Sequence, residues 1–398
     1  MGPAAEQEIR SDAPRSSADL AATHDVRAAV DALSADLYRK LTREPGNVVL
    51  SPYSIGIALA MARVGAVGDT ASQIAAVLHA DLGNDPSAGF NALDQALAER
   101  PGKFTMFGQT LELELAVANR LWGQKDLDFE RPFLDELARD YDAGVQVVDY
   151  KAAPEDARRT INDWVAARTR EHIKDLIPPR VIDAQTRLVL TNAIYLKAAW
   201  RKRFNEAVTG TFHRADGANV RAKMMRLSET LGYGAGDDYQ AVRLPYAGGL
   251  SMILVVPSAG KPDALERDLD GPMLRRVVNA LSNTPVKLAM PKFSFRSKAR
   301  LKDVLGELGM PIAFTSRADF SGITNTEPLQ IADVIHEAFI AVDEKGTEAA
   351  AAAAQVYTLS IVPLKPVELT IDRPFLFLIQ DDETGAILFM GRVSDPTT

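Results

Sequence analysis

Five histidines, His24, His79, His172, His213 and His336, are the side chains best suited to acid–base or metal chemistry, and their placement supports neither. None lies in the His-Glu-x-x-His spacing that would hold zinc on one helix face. No Gly-x-Ser-x-Gly elbow, phosphate-binding loop or dinucleotide fingerprint occurs. Cysteine is absent, which removes disulfides, thiolate metal sites and a thiol nucleophile. Members of a serine triad can lie far apart in sequence, so local spacing does not exclude one. Nothing positive supports it, and the chain reads as no enzyme, with no cofactor and no metal. His336 differs from the rest because it interrupts an apolar strand, where a histidine is ordinarily a satisfied core residue.

A mechanical chemistry is suggested by Asp343-Glu344-Lys345-Gly346-Thr347-Glu348 and the unbroken alanines from Ala349 to Ala354. A charged turn, a glycine, a threonine and then only small side chains make a poor static strand. They suit a segment that is exposed at one time and buried as a strand at another. Small side chains enter a packed sheet without a steric or desolvation penalty at each step. The competing reading is a helical spacer, since glutamate followed by alanines also favours helix. Against it stands Ile331 to Val342, an apolar and partly alternating stretch that reads as a buried strand running straight into the small-residue tract.

Other elements must position this segment. Asp25 to Leu41 carries apolar residues at helical spacing, and Ile55 to Ala66 is apolar on every side, the mark of a core helix. A further helix follows from Ala71, with Thr70 or Asp69 as N-cap. Phe133 to Tyr141, Pro154 to Thr169 and Leu301 to Leu308 also read as helices. Leu113 to Trp122, Val145 to Tyr150 and Leu188 to Leu196 read as strands. Beyond Trp200 the character is mostly β, with Val220 to Met225, Gln240 to Leu244, Ser251 to Val256 and Val286 to Phe295. Val367 to Ile371, Phe375 to Gln380 and Ala386 to Gly391 close the chain. Helices early and sheet later give an α+β class with more than one sheet.

The chain is 46% hydrophobic and 25% charged, ordinary for a globular protein, and no linker divides it. Its length would permit two domains. The reading is a flexible polar tail over residues 1–24 and one domain over 25–396. A net charge of −8 argues against nucleic acid as a partner. No apolar run approaches the ~18 residues that span a membrane. Met1 to Arg27 lacks the apolar core of a secretion signal.

Several patches then occur together in order: Asn47-x3-Ser51-Pro52-x-Ser54-Ile55, Ile161-Asn162-x-Trp164-Val165, Leu190-Thr191-Asn192-Ala193-Ile194-Tyr195, Leu244-Pro245-Tyr246, Pro291-Lys292-Phe293, Ala318-Asp319-Phe320-Ser321, the 343–348 turn, and Arg373-Pro374-Phe375 with Phe389-Met390-Gly391. Each is weak alone. Jointly, from about Asn47 to Val393, the chain resembles the inhibitory serpins. A small departure is Leu196-Lys197-Ala198-Ala199 before Trp200, where the family usually has Phe-Lys-Gly.

The resemblance implies helices packed around three β-sheets and a reactive-centre loop at about 344–365. Its hinge would be Glu344, Gly346, Thr347, Glu348, Ala349, Ala350, Ala351 and Ala353. Ser51, Ser54, Asn192 and His336 would form a polar gate where two central strands part. Trp200, Lys292 and Glu344 would mark the point where the loop first inserts. The family spacing puts the reactive bond at Leu359-Ser360, with Ser360-Ile361 and Tyr357-Thr358 as alternatives. The partner implied is a serine protease of chymotrypsin, elastase or subtilisin type, met by a secreted monomer prone to polymerise, although a cytoplasmic location stays open. Phe90 to Arg100 is nearly neutral, so no heparin site is expected. The alternatives are a non-inhibitory serpin acting as carrier, chaperone or storage protein, and an inhibitor of a cysteine protease.

Overall fold

The computed structural model describes residues 7–80, 86–106, 108–258, 262–347 and 365–398. In chain order the first strands are β1 (Gln7–Ile9), β2 (Val48–Leu50), β3 (Gly102–Met106), β4 (Gln109–Gln124), β5 (Val145–Val148) and β6 (Leu188–Ala199). β7 (Asn205–His213), β8 (Asn219–Ala235), β9 (Tyr239–Pro245), β10 (Leu250–Pro257), β11 (Ser282–Pro291) and β12 (Phe293–Arg300) follow. The last are β13 (Ile331–Asp343), β14 (Gly346–Thr347), β15 (Val367–Thr370), β16 (Phe375–Asp381) and β17 (Ile387–Val393). The helices are α1 (Thr23–Leu41), α2 (Pro52–Val64), α3 (Gly68–Val77), α4 (Ser87–Ala98) and α5 (Arg131–Tyr141). After them come α6 (Pro154–Arg168), α7 (Pro262–Arg267), α8 (Gly271–Asn279) and α9 (Lys302–Leu308).

Two hydrogen-bonded networks organise the described strands. The first runs β1-β5-β4-β6-β14-β13-β12, with β3 on β4 and a direct β6–β13 pairing. The second runs β15-β11-β8-β9-β10-β16-β17-β2, with β7 on β8. Two of the three expected sheets are therefore joined, because β8 continues from its pairing with β7 into its pairing with β9.

Between the networks lies α2. Ser51 caps it by accepting the Ser54 N–H at 3.3 Å, and Pro52 stands in the first turn, where its missing donor costs nothing. The helix is buried along nearly its whole length and packs on β4, β6 and β17. β6 is buried on both faces, which is why its sequence is an apolar run rather than an alternation. Over the other face of the first network, α6 and the segment that follows it contribute Ile161, Trp164, Val165, Ile173 and Ile177. These pack with Ala193 of β6 and Ile335 of β13.

Three sequence expectations change here. The single strand read over Val286 to Phe295 is two strands, β11 and β12, in different networks. The break falls at Lys292, whose N–H donates to the Lys223 carbonyl at 2.8 Å. The helix expected to be capped by Thr70 or Asp69 begins at Gly68 without a side-chain cap, and Thr70 Oγ1 instead accepts the Asp319 N–H at 2.9 Å.

The third change concerns the tail over 1–24, expected to be flexible. Its residues from Gln7 onward are docked: β1 adds to the edge of β5. Arg15 reaches Asn91 at 2.9 Å and Asp94 at 2.6 Å, the Ser16 N–H donates to the Arg139 carbonyl at 2.8 Å, and Ser11 bonds Asp135. These bonds reach α4 and α5 and leave no apolar period in the sequence, so pattern reading passed over them.

Deleting residues 1–16 is expected to lower the midpoint of thermal unfolding by several degrees, on the order of 2 °C per kcal/mol lost for a chain of this size. A melting curve superimposable on that of the full chain would show the segment to be energetically idle.

Candidate functional site

β6 and β13 pair in parallel from Leu188 to Ile194 and from Ile331 to Ala338. At the middle of this seam, Asn119 of β4, Asn192 of β6 and His336 of β13 stand in one row across three strands. All three point toward the N-terminus of α2. The Ser51 N–H donates to His336 Nε2 at 3.1 Å, so this nitrogen is the acceptor and the ring proton sits on Nδ1. That proton is donated to Asn192 Oδ1. Asn192 Nδ2 in turn donates to Ser54 Oγ at 2.7 Å and Asn119 Oδ1 at 2.9 Å, while Ser54 donates to Asn119 Oδ1 at 2.7 Å. Asn119 Nδ2 is buried without an acceptor among the described residues, a spare donor beside the network.

The four residues singled out as a gate, Ser51, Ser54, Asn192 and His336, thus come together, each at most 1% exposed. Burial pushes His336 down to about 3, outweighing the opposing effect of the Asn192 bond. The ring is therefore neutral near pH 7. A strand entering between β6 and β13 must break the His336–Asn192 bond as it passes the centre of the seam. An apolar seam has no such specific partner to lose.

Above Ile194 and Ala338 the two strands part, and β14 fills the gap. Gly346 and Thr347 pair with Ala199 and Ala198 on one side and with Asp343 and Val342 on the other. The turn between β13 and β14 is closed by Asp343 Oδ1, which accepts the N–H groups of Lys345 at 2.7 Å and Gly346 at 3.3 Å. Gly346 has φ +148°, and a Cβ there would lie 2.1 Å from the Ala198 carbonyl oxygen. Only glycine allows this approach.

Trp200, Lys292 and Glu344 also meet here. Lys292 Nζ lies 2.6 Å from Glu344 Oε2, and the other carboxylate oxygen accepts the Ala207 N–H at 3.0 Å. Burial acts to raise the Glu344 carboxyl, but these bonds outweigh it and hold it below the usual glutamate range. Lys292 is 35% exposed, so the pair positions the turn more than it stabilises it. The Trp200 indole N–H donates to the Asp343 carbonyl at 2.8 Å, and its ring stacks on Tyr246 with centroids 4.2 Å apart.

Two side chains that sequence reading missed complete the arrangement. Tyr246 Oη lies 2.8 Å from Thr347 Oγ1, and burial pushes the phenol up so that it stays protonated. In the sequence Tyr246 stands out only as part of Leu244-Pro245-Tyr246, which carries no mark of this contact. The ring of His172 stacks on Tyr195 at 4.1 Å and on Phe339 at 5.8 Å, spanning the strands just where they separate. No sequence signal marks a stacking partner contributed by a loop. Glu348, Ala349, Ala350, Ala351, Ala353, Tyr357, Thr358, Leu359, Ser360 and Ile361 lie outside the described residues.

The family described as "Serpin (serine protease inhibitor)" matches residues 28–396. The chain is a serpin. An uncharacterized serpin-like protein of Thermococcus kodakarensis is 39% identical over 375 residues, covering 92% of this chain and 85% of the relative. Leukocyte elastase inhibitor A of Rattus norvegicus is 35% identical, covering 88% and 93%. The crystal structure of Serpin48, described as a highly specific serpin in the insect Tenebrio molitor, matches with TM-score 0.79 at 30% identity, over 93% of this serpin and 98% of that chain.

Removing the His336 ring strands the Ser51 N–H and the Asn192 amide oxygen, at about 1–3 kcal/mol each. His336→Ala is thus expected to lower stability and to raise the polymer fraction on native gels after heating. An unchanged monomer fraction would refute the gate. Acid provides a second test. Because the folded value of about 3 lies below the ordinary 6.5, the unfolded chain takes up a proton first as pH falls. The stability from this ring is complete above about pH 6.5 and is lost progressively toward pH 3, with about 2 kcal/mol gone by pH 5. Denaturant unfolding at pH 7.5 and pH 5 should show this loss in the wild type and not in His336→Gln. Equal losses in both would contradict the assignment.

Proposed function

We propose that this serpin traps a serine protease as a suicide substrate. The observation that carries the reading is the seam itself, closed below by direct β6–β13 pairing and already opened above by Gly346 and Thr347. A sheet prepared at one end to receive a strand is what loop insertion requires.

In this scheme the protease serine attacks the carbonyl carbon of the scissile bond. The amine side leaves with the C-terminal part of the loop, and an ester joins the new loop end to the enzyme. β14 then extends downward. Each step replaces β6–β13 hydrogen bonds with bonds from the new strand to both neighbours and must displace the packing of α6 on Ala193 and Ile335. Extended at about 3.3 Å per residue, Thr347 to Leu359 reaches on the order of 43 Å, enough to carry the attached protease to the far end of the sheet. Residues alternating from Thr347, namely Ala349, Ala351 and Ala353, would share its buried face. The uninserted fold is then a kinetic trap above a more stable form.

We place the reactive bond at Leu359-Ser360, with Ser360-Ile361 and Tyr357-Thr358 as alternatives. A leucine fills the apolar specificity pocket of chymotrypsin-, elastase- or subtilisin-like enzymes. No arginine or lysine stands between Glu348 and Pro363, which disfavours trypsin-like targets. One chain suffices for the cycle, so we read the active form as a monomer, secreted by family resemblance, with a cytoplasmic location as the alternative.

Incubation with chymotrypsin, pancreatic elastase and subtilisin is expected to give a complex that survives denaturing electrophoresis, and the mass of the released C-terminal peptide locates the bond. Thr347 is 1% exposed beside Tyr246. Thr347→Arg would bury a charge at a cost of several kcal/mol, and should be cleaved without trapping the enzyme. A stable covalent complex formed by this variant would overturn the insertion scheme.

A further inference from the structure

We propose that the cleft between β8 and the upper ends of β12 and β13 binds a small polyanion, which competes with Glu344 for Lys292. The cleft has a volume of about 460 Å³, and Arg221, Lys223, Lys292, Phe293 and Asp343 are among its lining residues. Arg221 and Lys223 lie two positions apart on β8, on one exposed face opposite Thr211 and Thr209 of β7. The bond from the Lys292 N–H to the Lys223 carbonyl brings the third cation to the same concavity. Among the described residues Arg221 pairs with no carboxylate, and Lys223 Nζ meets the Thr209 hydroxyl, at 3.2 Å, and no carboxylate. Asp343 is the one acidic side chain in the wall, and its Oδ1 is engaged by the turn N–H groups of Lys345 and Gly346.

On a chain of net charge −8, three cations gather around one hollow; Lys292 is paired with Glu344, whereas Arg221 and Lys223 meet no carboxylate among the described residues. Several cations on one hollow suit a compact ion with two or more charges, a tricarboxylate or a diphosphate, and Arg221 can meet either in bidentate fashion. Lys292 is shared between this cleft and the hinge. An anion that draws it away from Glu344 weakens the contact holding the β13–β14 turn, and by linkage Glu344 weakens anion binding to the same degree. The effect on protease trapping rests on the inhibitory reading above, whereas the binding itself does not.

The experiment is calorimetric titration of the full chain with pyrophosphate and with citrate, at constant ionic strength maintained with chloride. Saturable binding is expected, about tenfold weaker in the Arg221→Gln/Lys223→Gln double variant. In Glu344→Gln, which frees Lys292, it should be about fivefold tighter. Binding that is unchanged in the double variant, or no heat beyond the chloride control, would overturn the site. Absence of tightening in Glu344→Gln would overturn the competition. In the second arm, saturating pyrophosphate should change the rate of protease complex formation at least about twofold in the wild type and not in the double variant. No change in the wild type would overturn the coupling to the hinge. If anion binds as expected but no protease is ever trapped, the inhibitory reading fails and the site stands.

Discussion

The seam between β6 and β13 is short, parallel and buried on both faces, and one specific bond, from His336 to Asn192, holds its centre. With only apolar side chains the seam would keep its backbone ladder and packing, and no side-chain bond would single out one partner. A buried donor and acceptor do single one out, because each must find its partner or lose its desolvation energy. The row of Asn119, Asn192 and His336 ties three strands to one another, and Ser51 and Ser54 tie the row to the N-terminus of α2. The helix cap and the strand gate are thus one network.

The upper end of the same seam obeys a different constraint. There the strands have parted and the space is filled by a glycine that admits no side chain and a threonine held by Tyr246. The charged pair of Lys292 and Glu344 sits at the rim, half in solvent, where its worth lies in placement. Trp200, stacked on Tyr246 and bonded to the Asp343 carbonyl, supports the turn from below. A polar lock thus sits at the centre of the seam and a small-residue wedge at its top. Over the other face, His172 bridges Tyr195 and Phe339 at the point of divergence.

Much of this was legible in the residues. The all-apolar pattern of α2, the buried runs of β6 and β13 and the small-residue tract after Gly346 each follow from periodicity or side-chain size. Grouping His336 with Asn192, Ser51 and Ser54 in one gate rested on family resemblance, since residues far apart in sequence carry no local mark of contact. The break at Lys292 was not legible. Val286 to Phe295 reads as one strand because both halves are strands, and only the sheets they join reveal the corner. The docked N-terminal segment escaped for the opposite reason. Its anchors are polar bonds to α4 and α5, and polar residues at a terminus look alike whether bound or free.

The sequence by itself determined which segments are buried, that a glycine stands in the turn after Asp343, and that Ala349 to Ala354 are all small side chains. These properties reside in single residues and their neighbours. Tertiary structure decided which strand lies beside which, where the seam closes and where it parts, and that three cations from β8 and the β11–β12 corner face one hollow. Those outcomes depend on long-range pairing, in which each strand's partner is set by the packing of both networks on α2, and no local pattern encodes that choice.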